Sequence, residues 1–331
     1  MDTRCAQRHL EAAKSVYVAC HILPDGDAVG ALLGLGLALR RLGKACTMAC
    51  ADPVSFKFDF LAGLNDVVSH PPSTEEVIVT VDCSDLERLG SLYDEGVFRS
   101  RPVINIDHHV TNTHFGTVNL VHYLPSTAEL VYGLVRRMKA PLDRDIASAL
   151  LTGLVTDTRC FRTGNVTTKQ LRTTIALMNA GASLTEITEL VFNREPLSTI
   201  CLWGQALANV QRRDRIIWTE VNHDMMRKCC ASPNEGDGLV SFLASTVGVD
   251  AAVVFREKDD GRIEASMRAG PGWDVATVAK KLGGGGHPRA AGCTVPGRMK
   301  TARERVLAGI EASLREQAQA DRSALPADDR H

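Results

Sequence analysis

The sequence has no Cys-x-x-Cys pair, no basic surplus and no long uninterrupted apolar run, and each absence removes a class of protein. Its ten cysteines are scattered over 331 residues, and the adjacent Cys229-Cys230 is poorly suited to an ordinary disulfide. Reduced, mostly buried thiols are therefore expected. The longest apolar stretch, residues 28–39, falls short of the ~20 residues of a membrane helix. The opening Met1-Asp2-Thr3-Arg4-Cys5 lacks the apolar core of a signal peptide. A cytoplasmic protein without a membrane partner is the expectation. Lys and Arg number 38 against 39 Asp and Glu, a formal net charge of -1. Proteins that grip long duplex nucleic acid by releasing counterions carry a basic excess, so a nucleotide or short oligonucleotide fits this balance better. The local cluster Arg212-Arg213-Asp214-Arg215 reads as a solvated face. There is no internal repeat and no convincing nucleophilic serine or cysteine motif; Cys83, beside Asp82, reads as packing.

What is present describes an ordinary globular chain, 44% hydrophobic and 23% charged, long enough for two domains. Apolar runs at 16–20, 45–50, 77–81 and 103–106 read as buried strands. Residues 27–42, 126–139 and 143–156 read as helices. The alternation predicts an α/β fold, a largely parallel, doubly wound sheet, whose site forms beyond the carboxyl ends of the strands. The pattern breaks near Asn193-Arg194-Glu195-Pro196, and a helix over 197–210 leads to a second unit. There 216–221, 251–256 and 263–268 read as strands, followed by a helix over 274–282, which makes a smaller α+β domain. The expected division is 1–192, a helical linker 193–213, a second domain 214–317 and a polar disordered tail 318–331.

Chemistry gathers at the strand ends. His21, Asp25 and Asp27 follow H-x-x-x-D-x-D after the first strand, with Pro24 and Gly26 supplying the turn. A helix starting near Asp27 offers its amide end to phosphate, although aspartates in this position also serve as plain helix caps. Asp82 ends the third strand, as ligand or as turn former. Asp107-His108-His109 ends the fourth. Asp157 closes an apolar helical stretch, where a carboxylate opposes the helix dipole and calls for a positive partner. Asp25, Asp27, Asp82 and Asp157 carry four negative charges, which two divalent cations balance and which otherwise repel one another. Imidazole and carboxylate without thiolate favour Mn2+, with Mg2+ or Co2+ as the alternatives. In the second unit, alternation along 263–268 places Glu264, Ser266 and Arg268 on the face opposite Ile263, Ala265 and Met267. Gly283 to Gly286, followed by His287, suit close backbone approach to phosphate or a base, or a helix cap.

These segments together resemble the DHH phosphoesterase family, in its short members with a C-terminal DHHA1 domain. The resemblance rests on H-I-L-P-D-G-D-A-V-G from His21, V-D-C-S-D from Val81, D-H-H-V-T-N-T-H-F-G from Asp107, T-D-T from Thr156 and G-G-G-G-H-P-R-A-A-G from Gly283. It implies one metal held by His21, Asp25 and Asp157, another by Asp27 and His108, and Asp82 bridging them. His109 would face the scissile phosphate or leaving oxygen, with Asp107 orienting the histidines. Ser266, Arg268, Gly284, Gly285, Gly286 and His287 would bind substrate. The implied activity is two-metal hydrolysis of short RNA to nucleoside 5'-monophosphates, with removal of the 3'-phosphate of adenosine 3',5'-bisphosphate. Relatives acting on linear or cyclic dinucleotide messengers are the enzymatic alternative, and a nucleotide sensor without catalysis is the other; homodimers are common in the family. Arg159 and Cys160 stand where a glycine usually follows T-D-T, and Ala31 where a serine is common. Arg159 thereby puts substrate preference in question.

Overall fold

The computed structural model describes residues 2–232 and 238–324. The chain divides into two units, Met1–Arg194 and Glu195–His331. The first contains α1 (Asp2–Ala12), β1 (Ser15–Ala19), α2 (Gly26–Arg41), β2 (Ala45–Ala49), β3 (Val67–Val68), β4 (Val77–Val81), α3 (Glu95–Ser100), β5 (Val103–Asp107), β6 (Val118–Val121), α4 (Thr127–Arg137), α5 (Arg144–Asp157), α6 (Thr168–Asn179) and α7 (Leu184–Phe192). Its six strands pair in the order β3-β2-β1-β4-β5-β6, all parallel. The sheet is apolar on both faces, as the unbroken runs of Val, Ile and Ala in β1 and β4 require. On one face Val16, Val18, Val79 and Ile104 pack with Leu32, Leu35, Val131 and Leu151 of α2, α4 and α5. On the other, Tyr17, Ile78 and Val103 pack with Leu89, Leu92 and Phe98. The winding across the sheet reverses between β1 and β4: from β1 the chain winds outward to β2 and β3, then returns to β4 on the opposite side. A crevice opens at the carboxyl ends of strands where the winding reverses, and His21 and Asp82 follow those two strands.

The contact between α2 and α5 is unusually close. A Cβ on Gly30 would lie 2.5 Å from the Ala149 carbonyl oxygen and 2.7 Å from the Gly153 nitrogen. The two helices thus touch backbone to backbone, which brings the start of α2 beside the end of α5.

The second unit holds α8 (Leu197–Ala208), β7 (Gln211–Arg213), β8 (Ile216–Val221), α9 (His223–Cys229), α10 (Leu239–Ala244), β9 (Ala251–Glu257), β10 (Arg262–Ala269), α11 (Ala276–Lys281), β11 (Gly285–His287), β12 (Ala290–Pro296) and α12 (Met299–Ala324). Its mixed sheet runs β11-β12-β10-β9-β8-β7, with only β8 and β9 parallel. The α+β character expected for this unit is observed.

Three expectations need correction. The stretch expected as a helical linker, 193–213, packs from Glu195 onward as part of the second unit: Leu202 and Ala206 of α8 pack with Ile217 and Val221, the Ala206 carbonyl accepts from Thr219 Oγ1 at 2.5 Å, and β7 is an edge strand of the second sheet. The tail expected to be disordered from 318 continues α12 to Ala324, and 325–331 lie outside the described residues. The thiols are not all reduced: Cys201 of α8 and Cys229 of α9 are joined, while the other eight cysteines are free. Among the described residues no single helix is long and apolar enough to cross a membrane.

Candidate metal centre

Two of the histidines have their tautomers decided by backbone. His21 Nδ1 lies 2.6 Å from the Ile22 carbonyl oxygen, and His108 Nδ1 lies 2.9 Å from that of Leu124. A carbonyl only accepts, so each Nδ1 carries hydrogen, and in the neutral ring Nε2 presents a lone pair. Both Nε2 atoms stand 3.5 Å from the Asp82 carboxylate, His21 at Oδ2 and His108 at Oδ1. Lone pairs facing a carboxylate need a proton or a cation between them. Donors about 2.1 Å from one octahedral cation are about 3 Å apart, close to these separations.

Asp82 is 1% exposed and is held from several sides. Its amide extends the ladder to the Ile106 carbonyl at 2.9 Å, and Oδ1 accepts from Thr127 Oγ1 at 2.9 Å. Its φ of 56° lies in the left-handed region, which costs a non-glycine residue roughly 1–2 kcal/mol. Strain of this kind persists where surroundings over-determine it, and here it turns the carboxylate off the end of β4.

Asp25 resolves the choice between cap and ligand by doing what both require. Oδ1 accepts from the amides of Asp27 and Ala28 at 3.0 Å, capping α2, while the carboxylate also lies grouped with His21 and Asp82. Asp27 is buried at the start of α4: Oδ2 accepts from the Thr127 amide at 2.6 Å and Oδ1 from Ala128 at 3.0 Å. Gly153 makes room for it, since a Cβ there would meet Asp27 Oδ1 at 2.8 Å.

Asp157 is the one expected ligand placed differently from expectation. Its Oδ2 is 3.5 Å from His108 Nε2, and its carboxylate groups with Asp27 and His108, whereas His21 and Asp25 group with Asp82. The close α2–α5 packing is the cause, because it delivers the last residue of α5 beside Asp27. The centre therefore comprises two trios, with Asp82 within 3.5 Å of a histidine in each. Asp82, His108 and His109 form a third overlapping group.

His109 has another role. Its Nδ1 donates to Asp107 Oδ1 at 2.8 Å, and its ring stands edge-on to His108 with centroids 4.5 Å apart. Asp107 is fully buried, and its Oδ2 accepts from Asn112 Nδ2 at 2.5 Å. Asn112 in turn donates to Asn105 Oδ1, and Asn105 to Thr80 Oγ1 and the Cys83 carbonyl. A buried polar network of this kind fixes Asp107, and through it the imidazole. Asn112 stands within the D-H-H-V-T-N segment that carried the resemblance, so its signal was present in sequence. Thr127 and Gly153 carried none.

The electrostatics are those of a crowded anionic cluster. Burial, then the charges of Asp82, Asp157 and Asp25, hold the Asp27 carboxyl well above its usual range. Burial chiefly, offset in part by His108, pushes Asp157 up to about 7. Asp82 goes the other way despite its burial, held well below the carboxylate range by His21, His108 and His109. Burial opposes charge on His109, but its bond to Asp107 and the charge of Asp82 outweigh that and raise it to about 9. His21 is raised likewise, with Asp82 overcoming burial. Four carboxylates, two imidazole lone pairs and no thiolate fit a pair of divalent cations, which would relieve the repulsion behind the raised carboxyls. A proton on Asp157 must leave before it ligates. Asp27 and His21, whose values are raised as well, must also be deprotonated to ligate, so affinity for Mn2+ should rise with pH through about 7. Calorimetric titrations in buffers of different ionisation enthalpy should show more protons released at pH 6 than at pH 8; equal release at both would show that Asp157 does not ligate.

In the second unit, β10 alternates as expected: Ile263, Ala265 and Met267 are buried, and Glu264, Ser266 and Arg268 are half-buried. Pairing sets Arg268 opposite Ala290 and Ala290 opposite His287, and likewise Ser266, Gly292 and Gly285 in one row. Residues in register share a face, so Ser266, Arg268, Gly285 and His287 do. Arg268 Nη1 donates to the Met267 carbonyl at 3.0 Å. Glycine is required at 284, where a Cβ would lie 2.1 Å from the Gly292 carbonyl oxygen, and at 286, with φ 134°. At 285 a Cβ would meet nothing within 4 Å.

Residues 15–154 match the DHH family, N-terminal domain, and residues 230–316 the DHHA1 domain. The chain is 34% identical to the bifunctional oligoribonuclease and PAP phosphatase NrnA of Thermus thermophilus, over 90% of each chain. It is 25% identical to the cyclic-di-AMP phosphodiesterase PdeA of Listeria monocytogenes, over 86% of this chain and 45% of that one. In fold it is similar to an exopolyphosphatase-related protein from Bacteroides fragilis, with a TM-score of 0.89 at 22% identity, covering 96% of this chain and 97% of the other.

Proposed function

This chain belongs to the DHH family of phosphoesterases and carries a DHHA1 domain, and on that footing we propose that it hydrolyses short oligoribonucleotides to nucleoside 5'-monophosphates and removes the 3'-phosphate of adenosine 3',5'-bisphosphate. The observation that carries the reading is Asp82, buried between two imidazoles whose Nδ1 atoms are already committed to backbone. His21, Asp25 and Asp82 would hold one divalent cation, and Asp27, His108, Asp157 and Asp82 a second, with Mn2+ preferred for this nitrogen and oxygen donor set. When bound, such a pair supplies a nucleophile at neutral pH and offsets charge on the phosphoryl and leaving oxygens.

The chain's own groups do the rest. The α4 amides and the Thr127 hydroxyl orient the carboxylates of Asp27 and Asp82. Asp107 holds His109 through Nδ1, and Nε2 hydrogen-bonds the leaving oxygen, favoured by the Asp107 bond, which stabilises the protonated ring. Ser266, Arg268, Gly284, Gly285, Gly286 and His287 bind the substrate in the second unit, Arg268 as a charge-assisted donor to phosphate.

Purified protein, with metal and after chelation, should be given a dinucleotide, adenosine 3',5'-bisphosphate and a cyclic dinucleotide. Turnover of the first two only with metal is expected; no turnover of any substrate with Mn2+ present would overturn the reading. Preference for the cyclic dinucleotide would favour the activity for which the Listeria relative is named. Arg268→Ala should raise KM about tenfold and leave kcat within about twofold, as loss of uniform binding does; an unchanged KM would remove Arg268 from the substrate face.

A further inference from the structure

We propose that Arg88 is a phosphate-binding residue of this centre, its guanidinium taking a phosphoryl oxygen of the substrate. The inference deepens the phosphoesterase reading and rests on it. Arg88 lies on the 3-10 segment Glu87–Leu92, six residues after Asp82. Its carbonyl accepts from the Ile22 amide at 2.7 Å, and its own amide donates to Asp85 Oδ1 at 3.1 Å. Gly90, at φ 56°, presses on the same loop, where a Cβ would meet Ile22 Cγ2 at 2.6 Å. The segment is thus clamped to the residue that follows His21, and Arg88 is seated between the loops that carry His21 and Asp82.

The side chain is half-buried and makes no hydrogen bond or ion pair with any described residue. Arg40, Arg41, Arg99 and Arg144 of the same unit each hold a carboxylate. Arg88 holds none, although acidic groups crowd the centre. Its charge nonetheless reaches the centre, opposing protonation of both His21 and His109. A partly desolvated guanidinium without a counter-ion is unfavourable until an anion arrives. The four ligand carboxylates would be cancelled by two divalent cations, which leaves Arg88 as a fixed positive charge suited to the single negative charge of a phosphodiester. Its planar fork matches two phosphoryl oxygens.

The test uses Arg88→Ala and Arg88→Gln in the full chain, each checked for an unchanged melting temperature and Mn2+ content. Calorimetry with adenosine 5'-monophosphate, a product that is not turned over, should show affinity reduced at least about tenfold relative to the wild type, with adenosine, which lacks the phosphate, bound equally by both. The kcat/KM for a dinucleotide should fall by about two orders of magnitude. Unchanged phosphate affinity or unchanged kcat/KM overturns the proposal, and so does a loss of activity that merely tracks lost metal, which would mark Arg88 as a support of the ligand loops. If the wild type turned over no nucleotide, the proposed function would fail, whereas the monophosphate comparison would still decide whether Arg88 binds phosphate.

Discussion

Asp82→Ala is expected to abolish hydrolysis, lowering kcat by about three orders of magnitude or more. Among the described residues no other carboxylate stands within 3.6 Å of all three of His21, His108 and His109, as that of Asp82 does. The substitution removes the carboxylate that lies 3.5 Å from a histidine of each trio and leaves two lone pairs facing a gap. Asp82→Asn keeps the volume and the Thr127 contact but loses the charge, so it separates chemistry from packing. In either variant the bound Mn2+, measured by elemental analysis, should fall below two per chain, and the rise in melting temperature that Mn2+ gives the wild type should shrink. Near-normal rates would mean that the ligand map is wrong.

Gly30→Ala is the second change with a large expected effect, and it acts through the scaffold. The new methyl would lie 2.5 Å from one backbone atom and 2.7 Å from another, and neither can swing aside as a side chain can. Helices α2 and α5 must separate, at a cost of about 3 kcal/mol or more in a core packed this closely. Separation also carries Asp157 away from Asp27, so metal affinity should fall with stability. Gly133→Ala on α4 provides the contrast: the position is exposed, has nothing within 4 Å, and should gain roughly 0.5–1 kcal/mol from helix propensity. Urea unfolding of the two variants reads both signs. Loss of less than 1 kcal/mol at Gly30 would contradict the backbone-to-backbone contact.

Much of the first unit is legible because buried parallel strands write themselves as continuous apolar runs. Residues 77–81 match the observed strand to the residue, and the helices after 27, 126 and 143 begin within two of the expected positions. The short β3 and β6 carry no such signal, since Val67–Val68 is too brief for any period and β6 alternates over only four residues. All six expected ligands converge, yet sequence order does not say which trio Asp157 joins. That depends on how near α5 comes to α2, a distance set by Gly30 and Gly153 and invisible in spacing alone. The linker is illegible for a similar reason: an apolar helix following a break looks the same whether it bridges two units or packs on one.

Gly285 differs from the glycines on either side of it in one respect with evolutionary weight. Gly284 and Gly286 are held by the fold, so any side chain there is penalised before selection on activity can act. Gly285 opens onto the face shared by Ser266, Arg268 and His287, and the fold places no demand on it. A lineage can therefore try new side chains at 285 without first acquiring a stabilising change elsewhere. Among homologues that have diverged in what they cleave, that position is where variation is cheapest, and for an engineer it is the natural first site to randomise.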